Sequence, residues 1–416
     1  MDVVVAGGGV AGLEGLLALR ALAGDHVDLT LVAPDPEFTY RPLAVAEPFA
    51  MGHAYRVPLS QFAQDAGAEL GIDATIGVDD KAGELRLRDA GARSFEALLV
   101  APGATAVLGI EGATTWWPGG DPETYGGLLR DIDEGYSKRI AIVVPPGAVW
   151  PLPAYELALM TAGQAKGMGH DDVTVTVVTP ERRALSLFGD EASEAVAEEL
   201  RKAGVELKTG AVARRDGSAL VLEPSGERLD TQRVFAIPRL LGPGLEGLPA
   251  DEEGFIVAGD DARVEGCERT WAAGDAVVSP LKFGGLATHQ ARRAAAGIAH
   301  AAGVSDAPDP GEPVIHGRLL VGRGTRRLGG RGDAEGAPLW WPQGKIAGEY
   351  LPRWLTEHGV TPPAAEEPDE GITVHRPISE VRGPELEYLH GLAREFRSAD
   401  PAIPSLVRHM REARER

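Results

Sequence analysis

The sequence contains a single cysteine, Cys267, among its 416 residues. One thiol cannot form a disulfide within the chain, a redox dithiol or a cysteine-rich metal site. We therefore assign no metal ligands from the sequence, and we expect no chemistry that depends on a pair of cysteines.

Basic residues and long apolar runs are also scarce. The chain has 41 Lys and Arg against 62 Asp and Glu, a formal net charge of −21. This balance argues against nucleic acid as a partner, because phosphate binding needs a basic face. No apolar run approaches the length of about 20 residues that spans a bilayer, and no signal peptide is expected. We expect a cytoplasmic protein, soluble or in weak peripheral contact with the inner face of a membrane.

Glycine is abundant, and its placement near the N-terminus is informative. An apolar run at residues 3–6 predicts a buried strand, and residues 10–22 predict an apolar helix. Between them, Gly7 permits a tight turn and Gly9 leaves room for a pyrophosphate, and Gly12, in the first turn of the helix, lets helix and strand pack closely. The helix start presents free N–H groups and a positive dipole end to phosphate. This pattern predicts a dinucleotide site.

The rest of the chain alternates predicted strands and helices, which indicates an α/β fold. A second strand–helix–strand unit begins at residues 139–144. We predict two Rossmann-like three-layer domains and a smaller C-terminal region. The predicted divisions are 1–112 and 250–313 for the two parts of the first domain, 113–249 for the second domain, and 314–416 for the C-terminal region.

The end of the second predicted strand lacks the usual ribose-binding acid. Residues 33–34 are Ala-Pro there, and Asp35 follows immediately. Asp35 can hold the ribose hydroxyls from this position. Alternatively, it forms a turn between two prolines.

Three motifs occur in a characteristic order: the glycine turn at 7–12, Ala-Pro-Gly-Ala at 101–104, and Trp-Ala-Ala-Gly-Asp at 271–275. With them, the chain resembles the two-dinucleotide-domain flavoproteins of the pyridine nucleotide-disulfide oxidoreductase superfamily. It is most similar to the branch of sulfide:quinone oxidoreductases, type II NADH:quinone oxidoreductases and flavocytochrome c sulfide dehydrogenases. The resemblance covers residues 1–355.

The resemblance implies FAD as the cofactor and assigns residues to it. The implied FAD-binding residues are Gly7, Gly9, Val10, Ala11, Gly12, Asp35, Arg41, Pro42, Thr75, Ala101, Pro102, Gly103, Gly274, Asp275 and Gly285. The helix beginning near Gly285 is expected to point its N-terminus at the flavin and to stabilise the negative charge of its reduced form. Lys282 adds positive charge there, or is a solvated surface lysine.

Two departures from the family pattern bear on function. A disulfide-based sulfide oxidation is excluded by the cysteine count. The second glycine loop, at residues 145–153, carries four prolines and Trp150, which compromises a pyrophosphate cradle. We interpret the second domain as a scaffold without NAD(P); a unit that still binds NAD(P)H is the alternative. Glu156, in a Pro-Ala-Tyr-Glu segment similar to the sulfide:quinone branch, is a candidate for proton transfer or a structural helix glutamate.

The predicted function is an FAD-dependent oxidoreductase that passes electrons between a small donor and a small acceptor such as a quinone. An NAD(P)H dehydrogenase and a flavin-binding protein without catalysis are the alternatives. Trp340 and Trp341 resemble a segment that shapes a quinone-side channel, or they are packing residues. The apolar stripes at 386–410 favour docking on the protein's own body or a homodimer contact over membrane binding.

Overall fold

The structure is a computed structural model that describes residues 1–51, 54–148, 150–313, 315, 317–320, 325–328 and 346–360. Trp340, Trp341 and the helices predicted over 386–410 lie outside the described residues. Among the described residues, no helix is long and apolar enough to cross a membrane.

The strands, numbered in chain order, are β1 (Asp2–Ala6), β2 (Asp28–Ala33), β3 (Glu37–Thr39), β4 (Arg56–Pro58), β5 (Ala68–Ile72), β6 (Thr75–Asp79), β7 (Glu84–Leu87), β8 (Gly91–Ser94), β9 (Ala97–Val100), β10 (Thr105–Val107), β11 (Thr114–Thr115), β12 (Arg139–Val143), β13 (Thr174–Val178), β14 (Glu206–Lys208), β15 (Val212–Asp216), β16 (Ala219–Glu223), β17 (Glu227–Asp230), β18 (Arg233–Ala236), β19 (Arg239–Leu241), β20 (Thr270–Ala272), β21 (Gly317–Leu320) and β22 (Thr325–Leu328). The α-helices are α1 (Val10–Ala23), α2 (Leu59–Ala66), α3 (Pro122–Asp133), α4 (Leu152–Gly167), α5 (Asp190–Ala203), α6 (Gly284–Ala301) and α7 (Leu351–Glu357).

A five-stranded parallel sheet forms the first unit, in the order β20-β9-β1-β2-β5. In the central strand β1, Val5 is paired with Leu31 on one side and Leu99 on the other. Residues 3–6 are buried, as expected of a parallel strand covered on both faces. Helices α1 and α6 pack together on one face with Trp271 and Trp354 in the same core. The chain therefore returns to this sheet after residue 269.

The second unit repeats the design with the parallel order β11-β18-β12-β13-β14. Helices α3, α4 and α5 supply much of its apolar core. That core also includes Phe49 and Phe283 from the first unit, so the two units share apolar contacts. The α/β architecture with two Rossmann-like sheets is confirmed.

Two boundaries differ from the sequence prediction. The apolar pattern of residues 230–237 predicts one strand, but β17 ends at Asp230 and β18 begins at Arg233. Between them, the Gln232 side chain accepts hydrogen bonds from the N–H groups of Lys138 and Arg139 at 2.8 and 3.1 Å. The helix expected to begin near Gly285 begins one residue earlier, at Gly284, after Phe283.

Candidate functional site

The turn between β1 and α1 has the geometry of a phosphate cradle. Gly7 has a φ of +139°, and a Cβ there would lie 2.0 Å from the Ala101 carbonyl oxygen. A Cβ on Gly12 would lie 1.8 Å from the Gly7 carbonyl oxygen, whereas one on Gly9 would meet no heavy atom within 4 Å. The first N–H groups of α1 have no partner within the helix, as at any helix start. The turn thus combines a rigid backbone with open space in front of it, which suits a pyrophosphate.

A cavity of about 830 Å³ opens from this turn and extends to the second unit. That volume lies within the usual range for ligand pockets. The residues predicted from the sequence that line it are Gly7, Gly9, Val10, Ala11, Asp35, Arg41, Pro42, Thr75, Ala101, Pro102, Gly103, Glu156, Gly274, Asp275 and Lys282. Neither Gly12 nor Gly285 borders the cavity. Gly12 packs against the backbone of Gly7, and Gly285 lies in the first turn of α6. The fold therefore brings residues from both units to one cavity.

The end of the cavity near β2 is more polar. Asp35 and Thr75 lie there, together with Arg88, which the sequence analysis missed. Arg88 follows β7 in a small antiparallel sheet, and its backbone N–H donates to the Ala74 carbonyl at 3.0 Å. No motif marks Arg88, because its position depends on how this sheet packs beside β2.

Asp275 and Lys282 are two of the charged residues in the cavity wall. Burial raises the pKa of Asp275, and the positive charges of Lys282 and Arg41 oppose that rise. Lys282 is 5% exposed, so the surface-lysine alternative is wrong. Its Nζ donates to the Val277 carbonyl and lies 4.0 Å from the centre of the Phe255 ring. Burial lowers the pKa of Lys282 to about 8, opposed by nearby carboxylates, first Asp275.

The depressed pKa of Lys282 predicts a pH dependence of stability. Its folded-state pKa of about 8 lies below the ordinary value of 10.5. Between these values the unfolded chain binds more protons, so stability rises with pH. Relative to Lys282→Met, the wild type should gain about 2 kcal/mol of unfolding free energy between pH 7 and pH 9.5. Urea unfolding of both proteins at the two pH values measures this. The exposed Lys81→Met is the control, and an equal pH slope in Lys282→Met and wild type would contradict the assignment.

Glu156 lies on α4 with a fully buried side chain, and it borders the cavity from the side of the second unit. Leu152, one turn earlier on the same helix face, borders it too. The structure thus places the predicted proton-transfer residue in the wall of the cavity that the β1–α1 turn also lines.

The second unit's own loop does not resemble the first. Pro151 and Pro153 flank the start of α4, and the Ala154 N–H is already bonded to the Pro151 carbonyl at 3.0 Å. Trp150 stacks on Phe283 with ring centres 4.7 Å apart and an interplanar angle of 14°. The loop therefore offers few N–H donors and places an indole ring where a cradle would need open backbone.

Glu181 lies just after β13, where a nucleotide-binding fold commonly has its ribose-binding acid. The sequence analysis missed it. It is 2% exposed, and its Oε2 accepts hydrogen bonds from Tyr155 Oη at 2.6 Å and Thr179 Oγ1 at 3.0 Å. Burial and the neighbouring Glu181 charge raise the pKa of Tyr155 well above its ordinary value. The Glu181 carboxylate is therefore hydrogen-bonded to side chains of the second unit itself.

Cys267 lies outside the cavity lining. Burial, with a smaller contribution from Asp80, raises its pKa to about 11. A thiol with so high a pKa is a poor nucleophile at neutral pH. Among the described residues, no group of three or more His, Cys, Asp or Glu could hold a metal ion.

The sequence profile of the pyridine nucleotide-disulphide oxidoreductase family matches residues 1–302. The chain belongs to this family. Membership makes the protein a flavin-dependent oxidoreductase. A comparison with curated protein sequences gives no significant match.

Solved structures of related flavoproteins share the fold. The sulfide:quinone oxidoreductase of Aquifex aeolicus aligns with a TM-score of 0.68 and 18% identity, covering 78% of this chain and 82% of that one. A NAD-dependent persulfide reductase from A. fulgidus gives 0.57 and 20%, covering 79% and 63%. NDH2 from Plasmodium falciparum gives 0.54 and 13%, covering 66% and 64%. At these identities the likeness shows the fold alone. The superfamily predicted from the motifs is confirmed by the family match over residues 1–302, and the branch within it stays a prediction.

Proposed function

We propose that this protein binds FAD non-covalently and passes electrons between a small donor and a small acceptor, without a redox disulfide and without NAD(P)H. The observation that carries the proposal is the single cavity, which joins the β1–α1 turn to Asp275, Lys282 and, from the second unit, Glu156. A cofactor that spans this cavity is reached by substrate from the side of the second unit.

The residues around the cavity fit FAD. The backbone of Gly7, Gly9 and the start of α1 would hold the pyrophosphate, with Gly12 supporting the turn. Asp275, which lines the cavity, would accept hydrogen bonds from sugar hydroxyls, and the backbone of Ala101–Gly103 and Gly274 would approach the cofactor closely. Asp35, Thr75 and Arg88 would surround the adenosine end. Arg41 and Pro42, which follow Asp35 by six and seven residues in the sequence, also border the cavity. They complete the proposed set of FAD-binding residues.

The flavin, when bound, supplies the electron transfer. The chain's own residues orient it and set its electrostatic environment. Lys282 and the start of α6, with Gly285 in its first turn, bring positive potential to the cavity wall. Such potential favours a group that becomes negative on reduction. Glu156 is the carboxyl group that would hold or release a proton at the second unit's side.

Three features support the absence of NAD(P)H from the reaction. Prolines remove N–H donors at the start of α4, Trp150 occupies the loop, and Glu181 is hydrogen-bonded within its own unit. A pyridine dinucleotide needs both a phosphate cradle and a ribose partner. One observation favours NADPH as a second candidate donor: Arg182 and Arg183 directly follow Glu181, where arginines can accept a 2′-phosphate. Arg183, however, is paired with Asp190.

An anaerobic titration of the purified protein tests the proposal. We expect bound flavin that dithionite bleaches and that a neutral quinone reoxidises, while NADH and NADPH leave its absorption unchanged. Dithionite controls for a flavin that is present but inaccessible. Purification without flavin would refute the FAD site, whereas rapid bleaching by NADPH would favour the second candidate.

A further inference from the structure

Asp73, between β5 and β6, is a buried carboxylate that the proposed function does not use. Its side chain accepts hydrogen bonds from three backbone N–H groups. Oδ1 accepts from Ala74 at 2.7 Å, Oδ2 accepts from Ala90 at 2.8 Å, and the Asp89 N–H lies 3.2 Å from both oxygens. Burial alone would raise the pKa of Asp73, but these hydrogen bonds outweigh it and lower the pKa, so the group is an ionised acceptor at neutral pH.

The segments that Asp73 holds together border the polar end of the cavity. Ala33, Ala74 and Arg88 line the cavity, whereas Asp73 itself does not. The Asp73 N–H donates to the Ala33 carbonyl at 2.9 Å, and the Arg88 N–H donates to the Ala74 carbonyl at 3.0 Å. The two N–H groups that follow Arg88 in the chain are the ones that donate to the Asp73 carboxylate. The backbone of Arg88 is therefore fixed on both sides, by hydrogen bonds that converge on one buried acid.

Arg88 brings a positive charge to the end of the cavity where the adenosine half of FAD would lie. A guanidinium group is planar, so it can lie against the face of a purine ring and can also pair with a phosphate. Fixing the backbone of so long a side chain reduces the conformational entropy that is lost on binding. FMN ends at its single phosphate and lacks the adenosine half. Contacts with Arg88 would therefore stabilise bound FAD and not bound FMN.

We propose that Asp73 is a positioning residue for the cofactor. Its carboxylate fixes the turn after β7, and Arg88 on that turn binds the adenosine half, which makes the site selective for FAD over FMN. The inference rests on the proposed FAD function and deepens it, because it names the residues that recognise the half of the cofactor remote from the flavin ring.

Isothermal titration of the full-length chain, freed of flavin, with FAD, ADP and FMN tests the proposal. ADP carries the adenosine half of FAD without the flavin. Asp73→Asn preserves the shape of the side chain but turns an NH₂ group towards backbone N–H donors. We expect the dissociation constants of FAD and ADP to rise about tenfold, while that of FMN stays within about twofold of wild type. Circular dichroism establishes that each variant is folded.

Asp79→Asn is the matched control. The Asp79 carboxylate accepts a hydrogen bond from the Ala82 N–H at 3.0 Å, so it also holds a turn of this small sheet, but neither residue borders the cavity. This variant should bind all three ligands with wild-type affinity. Arg88→Gln should weaken FAD and ADP binding directly. In the double variant the loss should be smaller than the product of the two single losses, because Asp73 acts through Arg88.

Unchanged FAD and ADP affinity in Asp73→Asn would overturn the inference. An equal loss of FMN affinity would also overturn it, since the substitution would then weaken the whole site, and so would single losses that multiply in the double variant. Should Asp73→Asn fail to fold, wild-type ADP affinity in Arg88→Gln would be sufficient to reject the role of Arg88. A wild-type chain that binds ADP but neither flavin would instead refute the FAD proposal, and the ADP titrations would still test Asp73 and Arg88.

Discussion

Gly7→Ala should yield a protein that carries no FAD and unfolds at much lower urea concentration than the wild type. The added Cβ would lie 2.0 Å from the Ala101 carbonyl oxygen, and the φ of +139° is one that alanine rarely adopts. Strain and backbone displacement together should cost more than about 3 kcal/mol of unfolding free energy. The turn would also shift away from the cavity. The flavin-to-protein ratio and a urea titration measure both effects.

Gly9→Ala separates cofactor binding from folding. A Cβ at this position meets no heavy atom within 4 Å, and the φ of −91° is acceptable to alanine. The unfolding free energy of the flavin-free protein should change by less than about 1 kcal/mol. FAD affinity should fall at least about tenfold, because the methyl group would occupy the space in front of the turn. Wild-type FAD affinity in Gly9→Ala would mean that the pyrophosphate does not lie on this turn.

The sequence was sufficient for features whose cause is local. The apolar run before Gly7, the three glycines and the apolar helix after them predicted β1, the turn and α1, because strand burial, turn geometry and helix periodicity are all short-range properties. The second strand–helix–strand unit was predicted on the same grounds. The prolines and Trp150 in its loop likewise predicted a poor phosphate-binding turn. The family resemblance then predicted that motifs far apart in the sequence, such as the one containing Asp275, belong to one cofactor site. Asp275 and the β1–α1 turn do line one cavity.

Other features depend on residues that meet only in the folded chain. Lys282 contacts Phe255 and Val277 in the folded chain, and this packing accounts for its burial. The sequence alone could not decide whether the Lys282 side chain is buried or exposed. The stack of Trp150 on Phe283 joins two units that are separated by more than a hundred residues. From the sequence, Glu181 is an ordinary charged residue after a strand. Its burial depends on hydrogen bonds to Tyr155 and Thr179, which only the folded chain brings to it.

Glu14 was also missed, because a charged residue within a helix such as α1 is expected to be solvent-exposed. It is fully buried, and it accepts hydrogen bonds from the backbone N–H groups of Glu349, Tyr350 and Leu351 at distances from 2.7 to 3.2 Å. Its partners lie about 335 residues away in the sequence. Burial raises the pKa of Glu14, and the three N–H groups and Arg292 oppose that rise.

Glu14→Ala should therefore destabilise the protein by about 3–5 kcal/mol, since it leaves three N–H groups around the start of α7 without their buried acceptor and removes the buried charge that lies 3.7 Å from Arg292. Glu349→Ala is the control: its carboxylate also contacts Arg292, at 3.2 Å, but its side chain is 43% exposed, so its loss should cost less than about 1 kcal/mol. Urea unfolding measures both.

The position of Glu14 gives its loss a second consequence, at the cavity. Ile346, which borders the cavity, and Ala347 precede the three capped residues, and Thr288 of α6 donates to the Ala347 carbonyl at 2.5 Å. Loosening residues 349–351 should thus raise amide exchange at residues 346–351 in Glu14→Ala before global unfolding occurs. Exchange that rises equally throughout α1 and α6 would mean that Glu14 stabilises the core as a whole, and not the junction between α1 and the cavity wall.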